Sequence, residues 1–447
     1  MKSKDVYREI AAELVRKAGS DFEYVRVYVS AVEDREVEVR NGKPENSRFS
    51  ESISMSVVAS RDGRTASASG SDISPEGRRF LLSSVRELIQ VVDPDPWYVI
   101  PEKETIGASD AKLDLVDEAY ESQSVERLLM EAGELETKAL AVDKRLASTG
   151  AAASVTKVAG AFACSYDFSE GFEGTDFSLG VSLTVDDKSG DSANVGRKQR
   201  NGWSTSAIHV EDLESSDKVA EMAASRTLAQ IGSRKPPTGE FSIIFDPNSS
   251  QSFFGGISQA LSGGSIYRGE SFLVDSIGKK IASQVLTIRE DPFLARGLGS
   301  RLFDLDGVKT RAFPVLESGV LQNYLLSVYA AHRLGMMPNG CAGGSSNFVV
   351  EPGKGTVKDI IAETSRGILV TGLMGQGADI RTGDYSRGAE GFFIENGEVL
   401  YPVSEFTISG TFQEMLAGID WIAADARPDS SVLAPSVRFH RMMVAGS

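Results

Sequence analysis

The polar side chains best suited to binding chemistry are concentrated in one glycine-rich stretch, GADIRTGDYSRG at residues 377–388. A guanidinium such as that of Arg387 can hold a carboxylate through two parallel hydrogen bonds. Glycines allow a ligand or another backbone to approach closely. These residue types are typical of a binding site, and equally of an internal turn held by salt bridges. The side chains concerned are Asp379, Arg381, Asp384, Tyr385, Ser386 and Arg387.

Metal ligation is poorly supported by the residue types. The three histidines, His209, His332 and His440, are far apart, and no two are within one helical turn. A zinc site typically needs several nitrogen or sulfur ligands at short spacing. Cys164 and Cys341 form no C-x-x-C pair and are expected to be reduced, buried thiols. The sequence therefore predicts no metal site in this chain.

Four short strings resemble motifs for phosphate, calcium or serine-nucleophile sites, but their residue spacing does not match those motifs. EPGKGT at 351–356 lacks the G-x-x-x-x-G-K-[ST] order of a phosphate loop, and GQGADI at 375–380 ends in isoleucine. DLDG at 304–307 is too short for a calcium loop. GGSSN at 343–347 lacks the G-x-S-x-G elbow of a serine hydrolase. A serine–histidine pair formed only by folding stays open, because such pairs are defined by geometry.

One predicted helix carries an unusual glycine pair. In SSQSFFGGISQALSGG, residues 249–264, the apolar positions Phe253, Ile257 and Leu261 fall at helical spacing. Gly255 and Gly256 lie inside this pattern, and each costs about 1 kcal/mol relative to alanine in a helix interior. We expect a strand, a partner subunit or a bound peptide to pack closely on them.

The elements that must position these residues group into two halves. Residues 1–231 are expected to form an α+β region with antiparallel hairpins, including Asn41-Gly42 and Asp62-Gly63 turns, and a break into two subdomains near 93–110. GSRKPPTGE at 232–240 is the predicted linker. Residues 240–447 are expected to be β-rich with few helices. Helices separate from antiparallel strands indicate an α+β fold. Helices are predicted from Ser3 to Gly19 and near 75–92, 122–143, 211–231, 249–262 and 357–366.

Composition excludes several classes of partner. The 447 residues carry a net charge of −16, with an isoelectric point near 4.9. A phosphate-backbone binder needs a basic face, so nucleic acid is not an expected partner. No stretch approaches the roughly 18 apolar residues of a membrane span, and the start of the chain lacks a signal peptide core. We expect a cytoplasmic protein.

Several longer strings resemble one family. The sequence is similar to the TldD/PmbA family, on its TldE/PmbA branch, over nearly the whole chain and most strongly from about residue 240. The strings that carry the resemblance are LSGGSIYRGESFLVDSIGKKIASQVLTI (261–288), FDLDGVKTR (303–311), CAGGSSNF (341–348), GDYSRGAEGFFIENGEVLYPVSEFTISG (383–410) and the closing SVRFHRMMVAGS.

The resemblance implies a function. TldD-type and TldE-type subunits form a cytosolic heterodimeric metalloprotease whose narrow chamber admits unfolded or extended peptides; an older label is modulator of DNA gyrase. In TldD-type subunits the glycine-pair helix resembles His-Glu-x-x-x-His, and a later cysteine completes the metal site. Here the corresponding positions are Gln251, Ser252 and Gly256.

By this resemblance the chain is a subunit that binds no metal and shapes the chamber or holds the peptide, while zinc or iron belongs to a TldD-type partner. No catalytic residue is assigned to it. Gly255, Gly256, Asp384, Tyr385, Ser386 and Arg387 are the predicted substrate or interface contacts. Three alternatives stay open: a non-enzymatic peptide-binding or scaffold protein, as a homodimer in isolation; a gyrase-associated regulator; and an autonomous hydrolase.

Overall fold

The first half of the chain is built on one long antiparallel sheet. The computed structural model describes residues 1–187 and 197–446. The sheet has six strands in the order β3-β2-β1-β4-β5-β6. These strands are β1 (Tyr24–Arg40), β2 (Lys43–Arg61), β3 (Arg64–Gly70), β4 (Leu146–Cys164), β5 (Phe168–Asp187) and β6 (Arg197–Ala207).

Four helices cover one face of this sheet, because alternate residues of its strands are apolar. The helices are α1 (Lys4–Ala18), α2 (Pro75–Val91), α3 (Val125–Val142) and α4 (Ser216–Leu228). α1 and α2 pack on the end that contains Val27 and Val57, and α3 and α4 pack on the end that contains Val37 and Val181. The predicted α+β class is confirmed. The fourth helix begins about five residues later than predicted, after a short 3-10 turn at Val210–Asp212.

The predicted break at 93–110 is an irregular connection that docks on the second half of the chain. The Gly107 N–H donates to the Gly307 carbonyl at 3.1 Å, and the Ser109 N–H donates to the Leu302 carbonyl at 3.0 Å. The strands before and after this connection share one sheet, because β1 pairs with β4 along fourteen residue pairs. The subdomain division itself stays a prediction.

The second half is β-rich, as predicted. Five of its strands, in the order β14-β13-β12-β7-β17, close on themselves because β14 also pairs with β17, and β15 extends this sheet. A second sheet has the order β10-β9-β8-β11-β16. The strands are β7 (Gly239–Phe245), β8 (Ile288–Glu290), β9 (Phe313–Glu317), β10 (Val320–Leu321), β11 (Phe348–Val350), β12 (Arg366–Met374), β13 (Asp384–Glu395), β14 (Glu398–Thr411), β15 (Ile419–Ile422), β16 (Val432–Leu433) and β17 (Val437–Ala445).

Two expectations for this half were wrong. The run NYLLSVYA, 323–330, is not a strand, because Ser327 caps a helix there and Gly335 ends it in the left-handed conformation. SQVLTI, 283–288, is a strand only at its last residue. The helices of this half are α5 (Pro247–Ala260), α6 (Gly263–Tyr267), α7 (Val328–Leu334), α8 (Val357–Ala362) and α9 (Phe412–Ala417).

The segment predicted as a linker, 232–240, is held in place. The Ser233 hydroxyl lies 3.0 Å from that of Ser404, and the Arg234 guanidinium stacks 3.6 Å from the centroid of the Tyr401 ring. The predicted second domain ends at Ser447, which lies outside the described residues. In the part of the chain that the structure describes, no helix is long and apolar enough to cross a membrane.

Candidate functional site

The helix with the glycine pair, α5, begins where β7 ends. Asp246 caps it by accepting a hydrogen bond from the Ser249 N–H at 2.9 Å, and Pro247 occupies its first turn. A carboxylate and a proline at these positions favour helix initiation. Arg226 of α4 binds the second oxygen of Asp246 at 3.2 Å. The start of α5 is therefore fixed from the first half of the chain.

The two glycines of α5 have different surroundings. A Cβ atom on Gly256 would lie 3.3 Å from Cζ of Phe412, so this glycine is packed against the core. A Cβ atom on Gly255 would meet nothing within 4 Å. Within the chain Gly256 therefore has a close neighbour and Gly255 has none, and packing of a partner subunit or a bound peptide on these glycines stays a prediction. The helix is anchored by Phe253, Phe254 and Ile257, which are buried.

The helix and the polar stretch identified from sequence meet in space. Arg387 on β13 donates a hydrogen bond from Nη1 to Oγ of Ser252 at 2.7 Å. Its Nε is buried and has no acceptor. Within residues 1–187 and 197–446, no ion pair forms at the guanidinium of Arg387, so the salt-bridged turn that competed with a binding role is not observed.

The neighbours of Arg387 divide between core and surface. Tyr385 is 2% exposed, and its ring centroid lies 5.4 Å from that of Phe412. Burial raises the pKa of Tyr385 to about 12, while the charge of Arg387 and a side-chain contact with it act in the opposite direction. Asp384 and Ser386 are exposed, and Asp384 accepts a hydrogen bond from the Thr382 hydroxyl at 2.7 Å. Of the four residues from 384 to 387, Arg387 is the one with a polar contact to α5.

A groove of about 650 Å³ runs beside the start of α5. One wall is the helix-free face of β4–β6, which we call the inner face, and the opposite wall contains Asn248 and Gln251 of α5 and the loop at 427–430. Small residues such as Gly180, Gly202 and Ser204 line the inner face here. Its volume lies within the range of about 300–1,000 Å³ that is typical of ligand pockets, so the groove has room for a short peptide segment.

Arg427 joins the two walls of this groove. Its guanidinium lies 3.7 Å from the centroid of the Trp203 ring, and donates to Oδ1 of Asn248 at 3.0 Å and to the Ser204 carbonyl at 2.6 Å. It also pairs with Asp429. Sequence reasoning missed these residues because Arg427 is 179 residues from Asn248, and no local motif relates them.

Asp429 faces α5 with part of its bonding capacity unused. Burial raises the pKa of Asp429, while Arg427 and Gln251 act in the opposite direction. Oδ1 of Asp429 and Nε2 of Gln251 are both buried, and apart from the contact between these two side chains neither has a hydrogen-bond partner. A peptide backbone bound in this corner of the groove would exchange that contact for hydrogen bonds of its own.

The histidines do not assemble a catalytic pair in the described residues. His209 and His332 lie within hydrogen-bond distance of backbone carbonyls, of Asp114 at 3.1 Å and of Trp97 at 2.8 Å. The Ser345 hydroxyl lies 3.1 Å from that of Ser258. His440 lies 3.6 Å from Asp420, and among the described residues none of the three histidines bonds a serine.

The chain is an α+β protein whose helix α5 is anchored by phenylalanines and hydrogen-bonded to an arginine. Profiles of the PmbA/TldA metallopeptidases match three segments: domain 1 at residues 25–92, the central domain at 118–231 and the C-terminal domain at 238–446. This chain belongs to the PmbA/TldD metallopeptidase family.

Relatives of both branches are similar to this chain, to different extents. It is 32% identical to Metalloprotease PmbA of Escherichia coli O157:H7, over 99% of this chain and 97% of that protein. A Metalloprotease TldD homolog of Buchnera aphidicola is 24% identical over 48% of this chain and 47% of that protein. The likeness to the PmbA protein therefore covers the whole length, and that to the TldD protein about half.

Solved structures have the same fold. A Bacteroides thetaiotaomicron protein described as a modulator of DNA gyrase superposes with a TM-score of 0.91 at 25% identity, over 99% of both chains. TldE from Thermococcus kodakarensis superposes with a TM-score of 0.85 at 21% identity, over 97% of this chain and 99% of that one. These matches extend across both halves of the chain.

The residues present do not fit the metal of a metallopeptidase. Gln251, Ser252 and Gly256 provide neither imidazole nor carboxylate, and the Arg387 guanidinium on Ser252 adds a positive charge that repels a divalent cation. Both cysteines are free and buried, as expected. Among the described residues, no three His, Cys, Asp or Glu side chains are grouped to hold a metal ion. That the chain binds no metal stays a prediction.

Proposed function

We propose that this chain is the subunit without metal ligands in a two-component, TldD/TldE-type metalloprotease of the cytoplasm. A TldD-type partner carries zinc or iron and hydrolyses unfolded or extended peptides. This chain shapes the chamber and holds the substrate. In this proposal residues 240–447 form the domain that carries α5, and residues 1–231 form the region that faces it across the groove.

The proposal depends on one observation. Helix α5 has its N-terminal cap, its packing and its place beside the closed sheet β14-β13-β12-β7-β17, yet it lacks the metal ligands of a TldD-type helix. Asp246 still initiates the helix and Phe253 still anchors it. At the position expected for the catalytic glutamate stands Ser252, and the Arg387 guanidinium is bonded to it. A helix retained without its chemistry supports a structural or substrate-holding role.

Arg387 and the groove supply the binding chemistry. The Arg387 guanidinium adjoins the buried Tyr385 hydroxyl as well as Ser252, and it supplies a positive charge for a peptide carbonyl or a terminal carboxylate. Asp429 and Gln251, which adjoin each other beside the start of α5, provide a second polar contact in the groove. Hydrogen bonds to a peptide backbone do not depend on the side chains of the peptide. Such contacts are therefore suited to a protease that accepts many sequences.

The test compares the chain alone with the chain mixed with a TldD-type subunit of the same organism. Metal content is measured by elemental analysis, and peptidase activity by digestion of fluorescently labelled, unfolded casein. We expect metal to accompany the partner and activity to require the mixture. Stoichiometric zinc or iron retained by the solitary chain, or cleavage of casein by it, would overturn the proposal.

A matched pair of variants tests the role of Arg387. Arg387→Met removes the guanidinium at α5, and Arg381→Met removes an exposed guanidinium six residues away. We expect Arg387→Met to raise KM for casein in the mixture about tenfold, since a charge-assisted hydrogen bond contributes about 1.5–3 kcal/mol. Arg381→Met should leave KM unchanged. Equal effects of both variants would contradict a specific role for Arg387.

A second candidate function is regulation of DNA gyrase, which is favoured by the description of the Bacteroides relative. A net charge of −16 disfavours direct contact with DNA, so this reading requires protein–protein contact. Co-purification distinguishes the candidates: gyrase retained by the chain at physiological salt supports regulation, and retention of a TldD-type subunit supports the protease.

A further inference from the structure

A second cavity, of about 580 Å³, lies on the inner face of the first sheet. Its floor is formed by β1, β4 and β5, and its roof by segments 111–116 and 297–305. It shares no lining residue with the groove beside α5. We call it the inner-face cavity, and its size is that of a small-molecule or short-peptide site.

Thr156 and Asp176 line the cavity floor, and Asp34 lies beside them on the same sheet. Asp34, Thr156 and Asp176 lie opposite one another on β1, β4 and β5. Asp34 is satisfied, because it accepts a hydrogen bond from the Thr156 hydroxyl at 2.9 Å and pairs with Arg48 at 2.9 Å. Asp176 has no hydrogen bond or ion pair within the described residues, and burial raises its pKa to about 6.

The other acidic groups at the cavity already have partners. Glu173 pairs with Lys4 at 2.8 Å, and Asp114 pairs with Arg296 at 2.7 Å. Asp304 accepts three backbone hydrogen bonds, each 2.9 Å long. At neutral pH the cavity therefore presents one ionised carboxylate without compensation, which is costly in a partly buried position.

Arg301 provides the opposite charge on the roof. It donates to the Gly344 carbonyl, and its Nε is buried without an acceptor. Its charge opposes the burial that raises the pKa of Glu290, but among the described residues no carboxylate lies within ion-pair distance of the guanidinium. A guanidinium in this state can bind a carbonyl or carboxylate oxygen.

Between these charged groups the lining is largely apolar. Phe172 stacks on Tyr28, with ring centroids 5.5 Å apart. Apolar walls hold a hydrocarbon side chain, and the few polar groups fix its orientation. Further apolar lining residues include Leu113, Val158, Leu298 and Leu302.

We propose that the inner-face cavity binds an ammonium group on an apolar carrier, with the ammonium on Asp176 and a carbonyl or carboxylate oxygen on Arg301. The amino terminus of a short peptide and a small free amine share this chemistry. This inference depends only on the inner-face cavity. Its test involves neither the TldD-type partner nor the α5 groove.

Calorimetric titration of the full-length chain at pH 7.5 tests this site with three probes: trileucine, N-acetyl-trileucine and leucinamide. We expect trileucine to bind and its acetylated form to bind at least tenfold more weakly, because acetylation removes the ammonium. Binding of leucinamide as tight as that of trileucine identifies a small-amine site, and binding of trileucine alone identifies a peptide terminus. Failure of both amines to bind would overturn the proposal.

Two variants locate the binding. Asp176→Asn keeps the size of the side chain and removes the charge, so it should weaken trileucine binding at least tenfold. Asp186→Asn makes the same charge change on an exposed residue of the same strand and should have no effect. Circular dichroism confirms that both variants fold. Undiminished binding to Asp176→Asn, or equal binding of the acetylated peptide, would refute the assignment.

Discussion

Substitutions at Gly255 in α5 can distinguish a role of this glycine in folding from a role in binding a partner or a peptide. A Cβ atom at this position meets nothing within 4 Å, and the residue lies in the interior of the helix. Alanine has a higher helix propensity than glycine by about 0.8–1.0 kcal/mol. We therefore expect Gly255→Ala to stabilise the isolated chain by about 1 kcal/mol, which corresponds to a rise in Tm of about 2–4 °C for a domain of this size.

Gly256→Ala is the matched control for this substitution. The propensity gain is the same, but the new Cβ atom lies 3.3 Å from Cζ of Phe412. The Phe412 ring stacks on Phe272, with interplanar angle 6°, so it has little freedom to move. The clash should cancel the gain, and differential scanning calorimetry should place Gly256→Ala at or below the wild-type Tm.

A larger polar side chain at position 255 tests whether a partner or a peptide packs there. Gly255→Gln retains helix propensity and places a long side chain where the isolated chain leaves open space. If a partner or a peptide packs there, this variant should fold normally and lose at least tenfold in casein cleavage when mixed with a TldD-type subunit. Full activity of Gly255→Gln, or destabilisation of the solitary chain by Gly255→Ala, would refute the reasoning.

Three further predictions address buried charge, a turn and the groove. Burial raises the pKa of Glu290 to about 7, above its value of about 4.3 in an unfolded chain, so native stability falls as the pH rises from about 4 to about 7. In urea unfolding, the free energy of unfolding of Glu290→Gln relative to that of the wild type should therefore rise by up to about 3 kcal/mol between pH 5 and pH 8. A difference that stays constant with pH would contradict this cause. Gly397→Ala should destabilise by about 1–3 kcal/mol in the same assay, because φ is +81° and the new Cβ would lie 2.6 Å from the Ala362 carbonyl oxygen; an unchanged midpoint would count against it. Arg427→Met should raise KM for casein in the mixture and expose Trp203, which a red shift of the tryptophan emission would report, and an unaltered spectrum would mean that the guanidinium does not shield the ring.

Local turn chemistry made the hairpins predictable from sequence. Asn41 and Gly42 have φ values of 53° and 70°, and Asn396 and Gly397 have 52° and 81°. These are the positive φ angles that a type I′ turn requires and that asparagine and glycine tolerate. Each turn therefore sets the pairing of its own two strands, and long-range contacts do not compete with it.

The error at residues 323–330 has a physical reason. The apolar run there has the composition of a buried strand, and short apolar runs do not distinguish strand from helix. The end signals did distinguish them: the Ser327 hydroxyl accepts a hydrogen bond from the Ala330 N–H at the start, and Gly335 adopts φ +63° at the end. Weighing those two residues against the apolar run would have predicted the helix.

The site could be predicted only in pieces. The sequence identified Arg387 and the α5 stretch separately, but their hydrogen bond joins residues 135 positions apart. The contact of Arg427 with the Ser204 carbonyl spans 223 positions. No periodicity or motif carries such pairings, because they arise when β6, α5 and the 427–430 loop are brought together by the packing of the two halves.

Unsatisfied polar atoms concentrate around α5. Of the fourteen buried side-chain nitrogen and oxygen atoms without a partner in the described residues, six belong to this helix or to the strands and loop that contact it. Each costs about 1–3 kcal/mol, and selection for stability alone would pair or remove them. Gln251 adjoins Asp429 and Arg387 adjoins Tyr385, so we infer that a bound peptide or a partner would exchange these imperfect contacts for hydrogen bonds of its own. The residues concerned are Ser250, Gln251, Thr371, Tyr385, Arg387 and Asp429.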